Sequence, residues 1–461
     1  MIRIAVRKKL HALSDYFRRD LTIHSNEITP RWIGSLAPRL GLNPQDFRSQ
    51  QALTAFENLA RGRSPTGIPL LSSSLPGSTR KRRCAWDLVV AAPKSATVAA
   101  LVAGDSRVVH AHLLATATLA QEIELRAKSA NRGSRGPSRA IVGVEFLDTR
   151  SRENDPHLHS HLIIFNLTRV DPARLSPTTP CPWKSLDPVR IYYDSVLLDY
   201  IYKCELAFYL RAQGYPVQVM RNSPEISLVE LNHRTMFSSA RARIDQLEKQ
   251  LFGTQGNDLA RSWVNDRFRR SKTQQEEALD LTQLAQIWRE RMPPAERDKL
   301  LQEIERLIRE QPAAGQTQSG PQTLQPCLCD AVREAHKAAR QQALRITPRL
   351  VWKKLLPLVM GLAPWAELKP LLENALKSVS LQAAGAGSSA GQLAAYGLEL
   401  ARRQLLFERI TGAESVRDLV PIQQILTQAP QAQPRKPDHE QSQTHELTQR
   451  TFISRGPQPA L

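Results

Sequence analysis

Cysteine is scarce and scattered in this chain. The five residues Cys84, Cys181, Cys204, Cys327 and Cys329 make an odd set, and the lone Cys327-x-Cys329 has no second ligand pair at zinc spacing. That pattern argues against a disulfide framework and against structural zinc. No run of about 18 apolar residues occurs, and the opening MIRIAVRKKLHAL is too short and too interrupted by charge for a secretory signal. A cytoplasmic protein without membrane insertion is therefore expected. The chain also lacks a G-x-x-x-x-G-K-S/T phosphate loop, so it carries no recognisable ATP-driven motor. Aromatic residues make up only 6%, which leaves few platforms for stacking bases. Trp32 and Trp86 are candidates, and a core position suits each at least as well. Acidic residues are outnumbered, 44 against 63 basic ones, giving a net charge of +19. A polyanionic partner follows, nucleic acid before an acidic membrane surface.

With 461 residues the chain is long enough for two or three domains. Residues 1–310 alternate between strand-like and helix-like apolar periods, as expected of a mixed α/β or α+β domain. Residues 311–325 (QPAAGQTQSGPQTLQ) form a polar linker, 326–380 a small helical segment, and 381–391 (LQAAGAGSSAG) a flexible linker. A further helical segment is expected over 392–427, and the Gln- and Pro-rich residues 428–461 lack the apolar content to fold alone.

The strongest chemical signal is Pro156-His157-Leu158-His159-Ser160-His161, running into the apolar Leu162-Ile163-Ile164-Phe165. Residues two apart on a strand share a face, so three imidazoles line one side, and at least two can bind one divalent ion. A solvated strand rim is the plainer alternative. Val142 to Phe146 reads as a second strand that delivers Asp148 at its end, where a neighbouring strand can bring its carboxylate beside the imidazoles. Alone, Asp148 would be a turn residue. Mixed nitrogen and oxygen ligands with an open position suit a Lewis acid for a phosphodiester.

Ala85 to Ser95 (AWDLVVAAPKS) begins as a strand and stops at proline. A carboxylate inside that apolar strand needs a partner, so Asp87 can orient a histidine or take a proton, unless it merely sits at a wet strand edge. Lys94 can meet phosphate or be a solvated loop residue. Between Lys8 and Asp20, Leu10, Leu13, Tyr16 and Phe17 fall at helical spacing, and periodicity alone makes Tyr16 a core residue. The clusters Ser78 to Arg83 (STRKRR), with Arg82 and Arg83, Arg132 to Arg139 and Arg267 to Lys272 suit a phosphate backbone, as does Arg152. Such charge runs are otherwise solvated faces.

In this order the segments resemble the TrwC/TraI-type (MobF) conjugative relaxases, members of the HUH endonucleases. The resemblance is carried by the tyrosine-bearing N-terminal stretch, Trp86 to Asp105, a long helix running to Arg132, Asp155 to Asn166, Leu198 to Gln218 and Phe237 to Leu251. Together these span residues 1–310. It implies an α+β fold with a central antiparallel sheet flanked by helices. It also implies Tyr16 as nucleophile, His159 and His161 as ligands of Mg²⁺ or Mn²⁺, and Asp87 as the residue that positions or deprotonates the tyrosine. The implied reaction is nicking and joining of single-stranded or hairpin DNA at an origin of transfer, through a 5′-phosphotyrosyl intermediate. A separate helicase, accessory DNA-binding proteins and a type IV coupling protein would be partners.

Two departures bear on that expectation. The family's third histidine is Asp148 here, so Asp148 or His157 completes the site. Tyr16 is followed by Phe17, and no further tyrosine occurs before Tyr192, where the family carries two tyrosine pairs. The family's helicase region is also replaced. The rival expectations are a relaxase-fold accessory protein that binds DNA without nicking it, and a metal-binding protein of unrelated chemistry.

Overall fold

A computed structural model describes residues 2–7, 30–43, 49–75, 83–130, 138–151, 153–170, 182–252, 264, 281–310, 321–343 and 346–384. The chain divides into Met1–Leu400 and Ala401–Leu461, and all described residues belong to the first unit. Strands β1 (Arg3–Arg7), β2 (Arg31–Ile33), β3 (Ala85–Ala91), β4 (Lys128–Ser129), β5 (Gly143–Arg150) and β6 (Pro156–Phe165) come first. Five of them form one antiparallel sheet in the order β1-β3-β6-β5-β2, and β4 pairs instead with Leu186–Asp187. The central strand β6 is therefore hydrogen-bonded on both sides.

Alternation along these strands decides what each sheet face meets. On one face Trp86, Leu88, Val90, Leu158, Leu162 and Ile164 pack against helices from both halves of the domain. Those helices are α3 (Lys94–Leu101), α4 (Ser106–Leu125) and α6 (Ser195–Ala212), where α1 is Leu36–Arg39, α2 is Gln50–Ala60 and α5 is Val189–Tyr193. On the other face Ala85, Val144, Phe146, Ile163 and Phe165 pack under Trp32, Leu36, Phe56 and Leu59 of β2, α1 and α2. Phe56 meets the rings of Phe146 and Phe165 edge-on. Close approach is enforced at Gly143, where a Cβ would sit 2.5 Å from the Ile163 carbonyl oxygen.

The second face is the one that carries Asp87, Asp148, His157, His159 and His161, further along the same strands than the apolar cover. Trp32 and Trp86, weighed above as base platforms, are 6% and 3% exposed, and both belong to the core. Each is too large and apolar to leave outside a sheet with two packed faces. The long helix ends at Leu125 and not at Arg132, because Lys128 and Ser129 turn into β4.

The helices of residues 321–384 pack on the rest of the unit. These are α11 (Pro321–Gln342), α12 (Pro348–Leu355) and α13 (Trp365–Ala384), following α7 (Leu231–Met236), α8 (Ser239–Phe252), α9 (Leu281–Arg291) and α10 (Pro294–Arg309). Leu328, Val332, Ala335 and Ala339 recur every three to four residues on α11, and with Val351, Leu368 and Leu372 they share a core with Leu197, Ile201, Cys204 and Ala207 of α6. Two buried carboxylates reinforce that contact. Glu122 accepts from the Trp365 indole at 2.9 Å and from Lys369 at 2.9 Å, and Glu205 accepts from the Trp365 amide at 2.6 Å. Helix α11 thus starts inside the stretch read as a linker to residue 325, because Pro321 is an acceptable first helical residue. Helix α13 likewise runs on to Ala384, past residue 381. Residues 392–427 and 428–461 lie outside the described residues. Among the described residues no helix is long and apolar enough to cross a membrane.

Candidate metal centre

On β6 the three histidines take alternate positions, and cross-strand pairing decides their neighbours. His159 lies opposite Ala91 on β3 and Asp148 on β5, whereas His161 lies opposite Val89 and Phe146. The β5–β6 register shifts between Asp148 and Arg150, and the Arg150 amide donates to the Asp148 carboxylate at 3.1 Å. Irregularities of this kind re-aim a side chain at a strand edge. One ligand atom each from Asp148, His159 and His161 falls within 4.8 Å of the others.

The imidazoles are oriented by their other nitrogens. His159 donates from Nδ1 to the carbonyl oxygen of His157 at 2.7 Å, which leaves the Nε2 lone pair 3.8 Å from Asp148 Oδ2. His161 donates from Nδ1 to Asp87 Oδ1 at 2.8 Å, so its Nε2 is likewise the acceptor nitrogen. Asp87 is fully buried. Burial pushes its carboxyl up, but the hydrogen bond and charge of His161, together with Arg7, outweigh that and hold it below its ordinary value. The Arg7 guanidinium grips Asp87 through Nε at 3.1 Å and through Nη2. Asp87 is therefore not a wet strand-edge residue: it orients a histidine and is itself anchored. The donor set of two imidazoles and one carboxylate, with tautomers already chosen, fits a divalent cation.

His157 stands apart from that trio. Its ring lies against His159 at 4.6 Å, and burial first, then the charges of His159, Lys94 and Arg3, push its pKa down to about 2. It is a neutral neighbour whose main chain holds His159. Of the two residues weighed as third member, Asp148 is the one gathered with His159 and His161.

Lys94 is no loop lysine. It opens α3 and donates to the Pro156 carbonyl at 2.8 Å, with its pKa lowered to about 8, first by burial, against the charge of Asp155. Arg83 is exposed at the entry to β3, toward the opposite end of the sheet. Tyr16, Arg82 and Arg152 lie outside the described residues, as do most of the three basic clusters.

Two contributors were not anticipated from the sequence. Behind β6, His112 of α4 bonds Ser160 Oγ at 2.9 Å and the Tyr202 hydroxyl at 2.7 Å, and burial drives its pKa down to about 3. A histidine within the apolar run VVHAHLLA was the available signal. The other is Arg7, signalled by the alternation Arg3-Ile4-Ala5-Val6-Arg7, which is a strand pattern.

An antiparallel sheet with a His-x-His pair on its central strand and an acidic neighbour, in a strongly basic chain, is the arrangement that the resemblance to the HUH endonucleases implied. The TrwC relaxase family profile matches residues 5–294. The multifunctional conjugation protein TraI of Escherichia coli is 26% identical over 226 residues, which is 48% of this chain but 12% of TraI. The metal-bound structure of the conjugative relaxase TrwC in complex with OriT DNA superposes with a TM-score of 0.52 at 23% identity, covering 65% of this chain and 98% of that one. TrwC complexed with a 27-mer DNA comprising the recognition hairpin and the cleavage site gives a TM-score of 0.50 at 23% identity, over the same shares. This chain belongs to the TrwC relaxase family, as the resemblance in its motifs implied.

Proposed function

We propose that the chain nicks and rejoins one strand of DNA at an origin of transfer, with Asp148, His159 and His161 holding a divalent metal ion. The observation that carries this reading is the gathering of those three donors at one end of one sheet face, with Asp87 bonded to His161. When bound, the ion supplies charge neutralisation at a phosphodiester oxygen. Imidazole and carboxylate donors together suit Mn²⁺ better than the all-oxygen preference of Mg²⁺.

In this proposal the Tyr16 hydroxyl attacks the scissile phosphorus. A phenolic O–P bond forms, the P–O3′ bond breaks, the phenol proton leaves to solvent and the 3′ oxygen gains one. The DNA 5′ end is then held as a phosphotyrosine, and the reverse reaction rejoins it. Asp87, engaged by His161 and Arg7, acts by keeping His161 in its ligating tautomer. The recognition hairpin named for the TrwC complex supports a hairpin-flanked substrate here. A separate helicase, accessory DNA-binding proteins and a type IV coupling protein would complete the process.

The test is a labelled single strand spanning the element's own transfer origin, incubated with the full chain and Mn²⁺. A covalent protein–DNA adduct is expected, lost in Tyr16→Phe and in the double change His159→Ala, His161→Ala. Tight binding of the strand with no adduct at any metal concentration would instead establish a binding-only accessory protein.

A further inference from the structure

Strand β1 lies at the sheet edge, and its alternation sorts its side chains by face. Ile2 and Ile4 join the helix-backed core, while Arg3, Ala5 and Arg7 point to the face that bears the metal centre. Pairing places Arg3 opposite Val89, in the same cross-strand row as His161, and Arg7 opposite Ala85, two residues below Asp87. The Arg7 side chain is 37% exposed and uses Nε and Nη2 for Asp87, and its Nη1 has no partner among the described residues. Arg3 is exposed. The strand Arg3-Ile4-Ala5-Val6-Arg7 carries no acidic residue, and Ala5 between the arginines is small.

We infer that β1 is a phosphate track. Arg3 and Arg7, about 13 Å apart along the strand, contact backbone phosphates of the DNA strand next to the scissile one, while Asp87 holds Arg7 at the height of the metal centre. A planar guanidinium braced on one edge by a carboxylate still offers donors to phosphate oxygens on the other. Charge on an edge strand can also serve only to block edge-to-edge pairing. That role needs no particular face, yet here both arginines share the face of the histidines. The inference rests on the relaxase reading for the identity of its ligand, but not on nicking.

The experiment uses the full chain, metal-free in chelator, with labelled oligothymidylate as probe, and follows binding by anisotropy from about 50 to about 200 mM salt. Each phosphate contact on a single strand adds about 0.7 to the slope of log affinity against log salt. Arg3→Gln and Arg7→Gln should each reduce the slope by that amount, the double change by about twice it, and Arg7→Lys should retain it. Arg3→Gln leaves the Arg7–Asp87 pair in place, so the test survives if Arg7→Gln unfolds the site by leaving Asp87 unpaired. A native slope in folded Arg3→Gln and in the folded double variant would overturn the track. A reduced slope together with a failed adduct assay would leave the track standing and remove the nicking reaction alone.

Discussion

Asp87 shows how one side chain can be legible in type and open in role. An acid within Ala85-Trp86-Asp87-Leu88 had to find partners, and it has two, His161 at 2.8 Å and the Arg7 guanidinium. Removing its charge while keeping its shape leaves Arg7 without its anion and lets the imidazole rotate or change tautomer. Loss of such a support for a metal-ligating histidine typically costs 10- to 100-fold in metal affinity. Asp87→Asn is therefore expected to weaken Mn²⁺ binding, measured by calorimetry, by about that factor. Unchanged affinity would show that His161 is held by something else. Asp148 was ambiguous for the opposite reason. Its neighbours in sequence say turn, and only the β5–β6 register sets it opposite His159.

At the level of elements, β6 is propped from behind. His112 on α4 bridges Ser160 of β6 and Tyr202 of α6, fully enclosed and neutral. Its folded pKa of about 3 lies below its ordinary 6.5. The fold therefore binds fewer protons than the unfolded chain between those values. The stability that this neutral imidazole contributes is complete above pH 6.5 and is lost as pH falls toward 3. One such group steepens the acid side by about 1.4 kcal/mol per pH unit. Urea titrations of His112→Gln between those limits should show a shallower acid slope, by about one proton, alongside a lower stability near neutrality. An identical slope would mean that His112 protonates in the folded state.

At the level of the whole molecule, α6 is apolar on two sides because it has two partners, the sheet core and the helices of residues 321–384. Read from the sequence, residues 1–310 are one domain, followed by a linker and a small helical segment. The packing gives the two a shared core. A chain ended at residue 310 would uncover Leu197, Ile201 and Cys204 and strip Glu122 and Glu205 of their Trp365 and Lys369 donors. Exposing that apolar surface costs about 25 cal/mol per Å² of the area returned to water. The truncated chain is expected to melt well below the full one and to bind a hydrophobic dye. An unchanged melting temperature would show that the C-terminal helices are only an attachment. Trp365→Ala, costing about 3–5 kcal/mol, tests the same contact in the intact chain.

Much of this was written in local pattern. Alternation exposes strands β3, β5 and β6 and puts three histidines on one face, since a strand repeats every two residues whatever surrounds it. Charge balance points to a polyanion before any fold is known. The tertiary structure alone decided that Asp148 lies gathered with His159 and His161, that Arg7 bonds Asp87 and His112 bonds Ser160, and that Trp32 and Trp86 are core. Those choices depend on strand register and on which helix covers which face, contacts between residues some 50 to 80 positions apart, as for Arg7 with Asp87 and His112 with Ser160. Periodicity records which way a side chain points, and only pairing records what it meets.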